Sequence, residues 1–281
     1  MESTFWDRVE QSGHRVPDDR PLDELTTELT AMLGDPDPER RDRIAYTTLA
    51  TWVSTGVYDD LLQGLGDGMV SGLAVGLGET VTDTVFRRSF SALILGECLD
   101  RDNTRHLVPA DTVLGWGDRL AGWDLRENDL RGYVPGKGWA HAAAHGADAL
   151  GALACSEAMG APELAVLLDV VLERLLGTAG VPLLYDEHDR LALATMRLLG
   201  RDLVGTDVLE SWVHRLGEAA GPAHVTEAEP LPASYNVQGF LRTLHLQLAL
   251  GPNPPACRSD LLLAVIGELK RSNPHYLGPR G

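Results

Sequence analysis

The sequence predicts an all-α protein. The expected architecture is an α/α superhelix or HEAT-like solenoid of about twelve helices, with an irregular helical bundle as the alternative. Three observations lead there. Apolar residues recur with a helical period along nearly the whole chain, and no run keeps a strand's alternation for long. Leu, Ala and Gly dominate while aromatics make up only 6%, which favours helices packed closely through small side chains. Pro and Gly punctuate the chain at helix-length intervals.

The elements follow in order. Pro21 opens PLDELTTELTAML and Gly34 closes it, and Pro38 opens a longer helix that ends near Gly56. Further helices are expected at Asp59–Leu65, Gly68–Leu77, Thr82–Leu99, Ala110–Gly122, Trp139–Met159 and Pro162–Leu176. The last four are expected at Glu187–Leu199, Thr206–Ala220, Ser234–Leu250 and Ser259–Arg271. Only VPLLY, Val181–Tyr185, tempts a strand assignment, and Pro222–Pro232 is the best candidate for a long connector. No internal repeat stands out. A chain of 281 residues of this kind fits one helical domain over 1–281, with a soft division near 124–137.

Charge and cysteine usage narrow the function classes. The formal charge is −17, from 41 acidic and 24 basic residues, a field that repels nucleic acid and acidic membrane surfaces and favours neither as a partner. Cys98, Cys155 and Cys257 are widely spaced and odd in number, as expected of free thiols in a reducing compartment. The start, MESTFWDRVEQ, has no basic segment followed by an apolar one, and runs such as Leu261–Gly267 are too short to span a bilayer. A cytoplasmic chain is expected.

The chemistry concentrates in GYVPGKGWAHAAAHGADAL, Gly132–Leu150. In a helix beginning near Trp139, His145 lies about 40° from His141 and Asp148 about 20° to the other side. All three then share one stripe of a helix that is apolar nearly all round, hence internal. Three readings fit. His at i and i+4 with a carboxylate is a plausible ligand set for a divalent metal such as zinc. Alternatively, Asp148 orients an imidazole for acid–base chemistry or ligand binding. Or the group is a buried hydrogen-bond network that ties helices together. The preceding loop carries Arg131, Tyr133 and Lys137 before a helix N-terminus, which suits an anionic group, although the spacing is not that of a Walker A loop.

Two further clusters stand out. YDEHDRLALA places Asp186, Glu187 and Asp189 in a first helical turn, where they complement the helix dipole, and adds Arg190. SYNVQGFLRTLHL sets Asn236, Arg242 and His245 into an apolar helix.

RGYVPGKGWAHAAAHGADAL, YDEHDRLA and NVQGFLRTLHL together resemble the bacterial family catalogued as domain of unknown function 2785, over roughly Arg131 to Leu250. By that resemblance the signature positions are Trp139, His141, His145, Asp148, Asp186, Glu187 and Arg190. The resemblance implies an all-helical, repeat-like fold with a shared groove, and no established activity. The expected function is binding of a small molecule or peptide in a polar groove. That groove would be lined by Arg131, Tyr133, Lys137, Trp139, Asp186, Glu187, Arg190, Asn236 and Arg242. A metal-dependent hydrolase using His141, His145 and Asp148 is the first alternative, and a scaffold with a buried His–Asp network is the second.

Overall fold

A computed structural model describes residues 4–177, 181–221 and 232–278. About 69% of the described residues are helical. The only strands among the described residues form one two-residue pair, so the chain is all-α. Among those residues no helix is long and apolar enough to cross a membrane. The expected connector at Pro222–Pro232 lies outside the described residues except for Pro232. The chain divides into two compact units, Met1–Ala149 and Leu150–Gly281.

In the first unit, Thr4 caps α1 (Phe5–Gln11) through a reciprocal bond with Asp7, and α2 (Leu22–Met32) follows Pro21 as expected. The helix expected from Pro38 to Gly56 is two windings in series. An eight-residue π-helix, Glu39–Tyr46, leads into α3 (Thr47–Thr55), which Gly56 closes at φ 89°. Within the wide winding, Arg41 is fully buried, its guanidinium 4.1 and 4.9 Å from the ring centres of Phe86 and Phe90.

A 3-10 turn at Asp59–Leu61 runs into α4 (Leu62–Leu73), replacing the two helices expected at 59–65 and 68–77. Gly66 does not break α4; it admits Trp116, whose ring would lie 2.2 Å from an added Cβ. The long α5 (Thr84–Arg105) packs against α3 and α4, and α6 (Ala110–Asp124) lies on α4. Beneath them, fully buried Arg88 forms a bidentate pair with Glu127 and donates to the carbonyls of Val75 and Gly76. Glu127 also accepts from Trp123 Nε1 and from the Asp129 amide, so the buried carboxylate is fully engaged.

The strands β1 (Tyr133–Val134) and β2 (Gly138–Trp139) are antiparallel, and α7 (Ala142–Ala154) runs across the division between the units. In the second unit, α8 (Ala161–Leu176), α9 (Glu187–Leu199), α10 (Thr206–Ala219), α11 (Pro232–Leu250) and α12 (Arg258–Ser272) match the expected bounds closely, and a short α13 (Pro274–Leu277) follows. Here α11 is central and packs on α8, α9, α10 and α12 through Val237, Phe240, Leu241 and Leu244. Val181–Tyr185 forms no strand.

Candidate functional site

The stretch before α7 is a hairpin, which corrects the expectation that the helix begins near Trp139. Tyr133 pairs with Trp139 and Val134 with Gly138, and the Lys137 amide closes the turn on Val134 O at 2.9 Å. Gly136 and Gly138 sit at φ 76° and 78°, the left-handed region that glycine enters without strain. An added Cβ at Gly138 would also meet Arg41 Nη2 and Pro38 Cβ, both at 3.1 Å. The pairing extends past the strands, with the Ala140 amide on Gly132 O and the His141 amide on Arg131 O. His141 then turns left-handed at φ 51°, and its carbonyl accepts the first helical bond, from the His145 amide. It occupies the capping position of α7 and is not one of its turns.

The cations around the hairpin are engaged within the fold. Arg41 Nη2 donates to Lys137 O at 2.8 Å, pinning the turn from the core. Lys137 Nζ grips both carboxylate oxygens of Asp83 at 2.6 and 2.7 Å. Arg131 is bidentate to Asp129 and donates to Thr82 O, while Asp129 accepts the Val81 amide. The anion-binding reading of this loop therefore gains no support: Lys137 and Arg131 serve as struts.

The aromatic residues form the accessible part. The His141 ring stacks on Trp139 at 4.3 Å and 27°, and Tyr133 meets Trp139 edge-on at 5.1 Å. Trp139 is 40% and Tyr133 50% exposed. His145 lies deeper, 6% exposed, its ring 5.9 Å from that of His141 and edge-on to Phe90. Its orienting partner is Ser89 on α5, which is fully buried. Ser89 Oγ donates its single proton to Ala140 O, so it accepts from His145 Nδ1 at 2.7 Å. That assigns the proton to Nδ1 and leaves Nε2 as the basic nitrogen.

From Ala142 to Leu150 only Asp148 reaches the surface. It faces Glu97 of α5, which accepts from Tyr46 Oη at 3.1 Å. Burial pushes the Glu97 carboxyl up, Asp100 and Asp148 push the same way, and the Tyr46 hydroxyl opposes them. Close packing explains the small residues of the motif. A Cβ at Gly146 would lie 2.7 Å from Asp124 Oδ1, and one at Gly96 would lie 3.3 Å from Ala149 Cα.

Among the described residues no three His, Cys, Asp or Glu side chains are placed to hold a metal ion together. His141, which stands before the first turn of α7, forms no such group with His145 and Asp148, and the zinc reading gains no support.

The second cluster belongs to the second unit. Asp186 is left-handed at φ 63° and precedes α9, and buried Glu187 accepts the Tyr185 amide at 2.6 Å. Burial raises the Glu187 carboxyl, against that amide and Arg190, with Asp186 adding to the rise. Asn236 is fully buried and clasps the preceding segment, accepting the Leu183 amide at 2.8 Å and donating to Val181 O at 3.2 Å. His188 lies flat against Gly239, edge-on to Tyr235. Asp186, Glu187, Arg190 and Asn236 thus gather where α9 starts against α11. Arg242 stands apart, exposed and bonded to Gln238 and to Asn273.

A family model described as a protein of unknown function, DUF2785, matches residues 73–246. The chain belongs to this family. No curated protein and no solved structure matched it. The DUF2785 match contains every residue of both clusters, together with Ser89, Phe90 and Glu97 of α5. No motif in the sequence marks those three. Their signal is Ser89 and Glu97 interrupting the apolar run SFSALILGECL eight residues apart. Arg41 and Tyr46 support the same strip from outside the matched residues.

Proposed function

We infer that the chain is a helical binding module that receives a small molecule, or a short peptide side chain, on the Tyr133–Trp139–His141 ledge. The observation that carries this is the stack of His141 on a 40% exposed Trp139, held by a left-handed backbone at His141. Such a conformation costs about 1 kcal/mol or more and persists only where the surroundings impose it. Arg41, Lys137, Arg131 and two left-handed glycines impose it here, so the aromatic pair is presented on a rigid support. His145 and Asp148 continue the strip and supply polar contacts for orientation. In the second unit, Glu187 and Asn236 shape the segment before α9.

The test is a fragment library of planar aromatic compounds, screened by saturation-transfer NMR against the native chain and Trp139→Ala. Hits lost in Trp139→Ala, with melting temperature unchanged, would support the reading. A fragment profile unaltered by the substitution refutes it. So does a large loss of melting temperature in Trp139→Ala, which would make the ledge structural.

A further inference from the structure

A second site lies in the first unit, in residues that precede those matched by the family. α2 and α4 face each other across a groove of about 450 Å3, a size at which small-molecule sites begin, about 300–1,000 Å3. Its walls are mostly apolar, from Leu22, Leu61, Leu65 and Met69. At the back, buried Tyr58 shares a hydroxyl–hydroxyl bond of 2.8 Å with half-buried Thr26.

Two independent features indicate what fills it. The first is glycine usage in α4. An interior helix glycine is unfavourable by about 1 kcal/mol against alanine, so it calls for a reason. Gly66 and Gly72 have one, since an added Cβ would lie 2.2 Å from Trp116 and 2.1 Å from Ser91. Gly64 and Gly68 have none within the fold: nothing lies within 4 Å of an added Cβ at either, and both line the groove. The second is charge. Asp23 and Asp60 border the groove, and among the described residues neither carboxylate has an ion-pair partner, whereas neighbouring Asp59 is paired with Arg101 at 2.7 Å. Apolar walls beside two exposed carboxylates that lack an ion-pair partner complement an organic cation with an apolar body.

We propose that the α2–α4 groove binds a small organic ammonium compound. Its hydrocarbon part lies over Gly64 and Gly68, and its charge lies at Asp23 and Asp60. The site uses no residue of the hairpin ledge and stands or falls separately from it.

The test titrates n-hexylammonium, with 1-hexanol as the neutral counterpart, into protein labelled at methionine methyls, following Met69. The expected result is saturable binding of n-hexylammonium that is at least about fivefold tighter than that of 1-hexanol, a ratio that Asp23→Asn/Asp60→Asn abolishes. Gly68→Leu fills the groove and removes a helix-weakening glycine, so it is expected to fold and to lose binding of both compounds. Equal affinity for the two compounds overturns the proposal. So does an unsaturable Met69 response, or binding that survives in folded Gly68→Leu.

Discussion

Ser89→Ala tests the support beneath the histidine strip. The hydroxyl is buried and bridges two groups at once, the Ala140 carbonyl and His145 Nδ1. Removing it leaves a buried acceptor and a buried donor without this partner, and each such loss is worth about 1–3 kcal/mol. Part of that loss is recovered by relaxation, so about 2–4 kcal/mol is expected in total. In a unit of this size, spanning Met1–Ala149, that lowers the melting temperature by roughly 10 °C. Calorimetry gives the stability. A nitrogen-15 spectrum of the imidazoles gives the second readout, because the native Nδ1–H tautomer of His145 is set by Ser89. Ser89→Ala should weaken that preference, and Ser89→Thr, which keeps the hydroxyl, should largely keep it. An unchanged melting temperature together with an unchanged tautomer would refute the reasoning.

Glu127→Ala is expected to be among the most damaging single changes, costing about 3–5 kcal/mol, because it strands fully buried Arg88. Urea unfolding checks this, and Arg88→Met/Glu127→Leu should recover much of the loss. For His188, burial holds the imidazole pKa below its usual 6.5, against the pull of Asp189 and Asn236. The unfolded chain therefore binds the proton more readily. The stability contributed is present above pH 6.5 and fades as pH falls below it towards the folded-state value. The gap in urea midpoint between the native chain and His188→Gln should shrink from pH 7.5 to 5.5; a constant gap would contradict the assignment.

Local rules made most elements legible. Pro21, Gly56 and the acidic first turn at Glu187 mark helix ends that the structure keeps. What failed did so for identifiable reasons. The alanine-rich period of AHAAAHGADAL extends by pattern back to Trp139, although Pro135, Gly136 and Gly138 signal a turn, because strands of two residues are too short to show alternation. The glycines of α4 looked like a break, but Gly66 is a packing notch for a tryptophan 50 residues away, which no local rule reveals. Stripe arithmetic counts His141 as a helical position, which its left-handed conformation denies, and it cannot supply Ser89, whose bond to His145 spans 56 residues of chain. Nor could it show that Lys137 is held by Asp83.

Arg41 has a consequence for how the family's region can be handled in isolation. It sits outside residues 73–246, yet it covers Phe86 and Phe90 and holds the Lys137 carbonyl. An expression fragment trimmed to the matched boundaries would lay both rings open to water and unlatch the hairpin. The matched region is thus not self-contained at that cut: two of its core rings and its hairpin turn lean on a residue upstream of its first position.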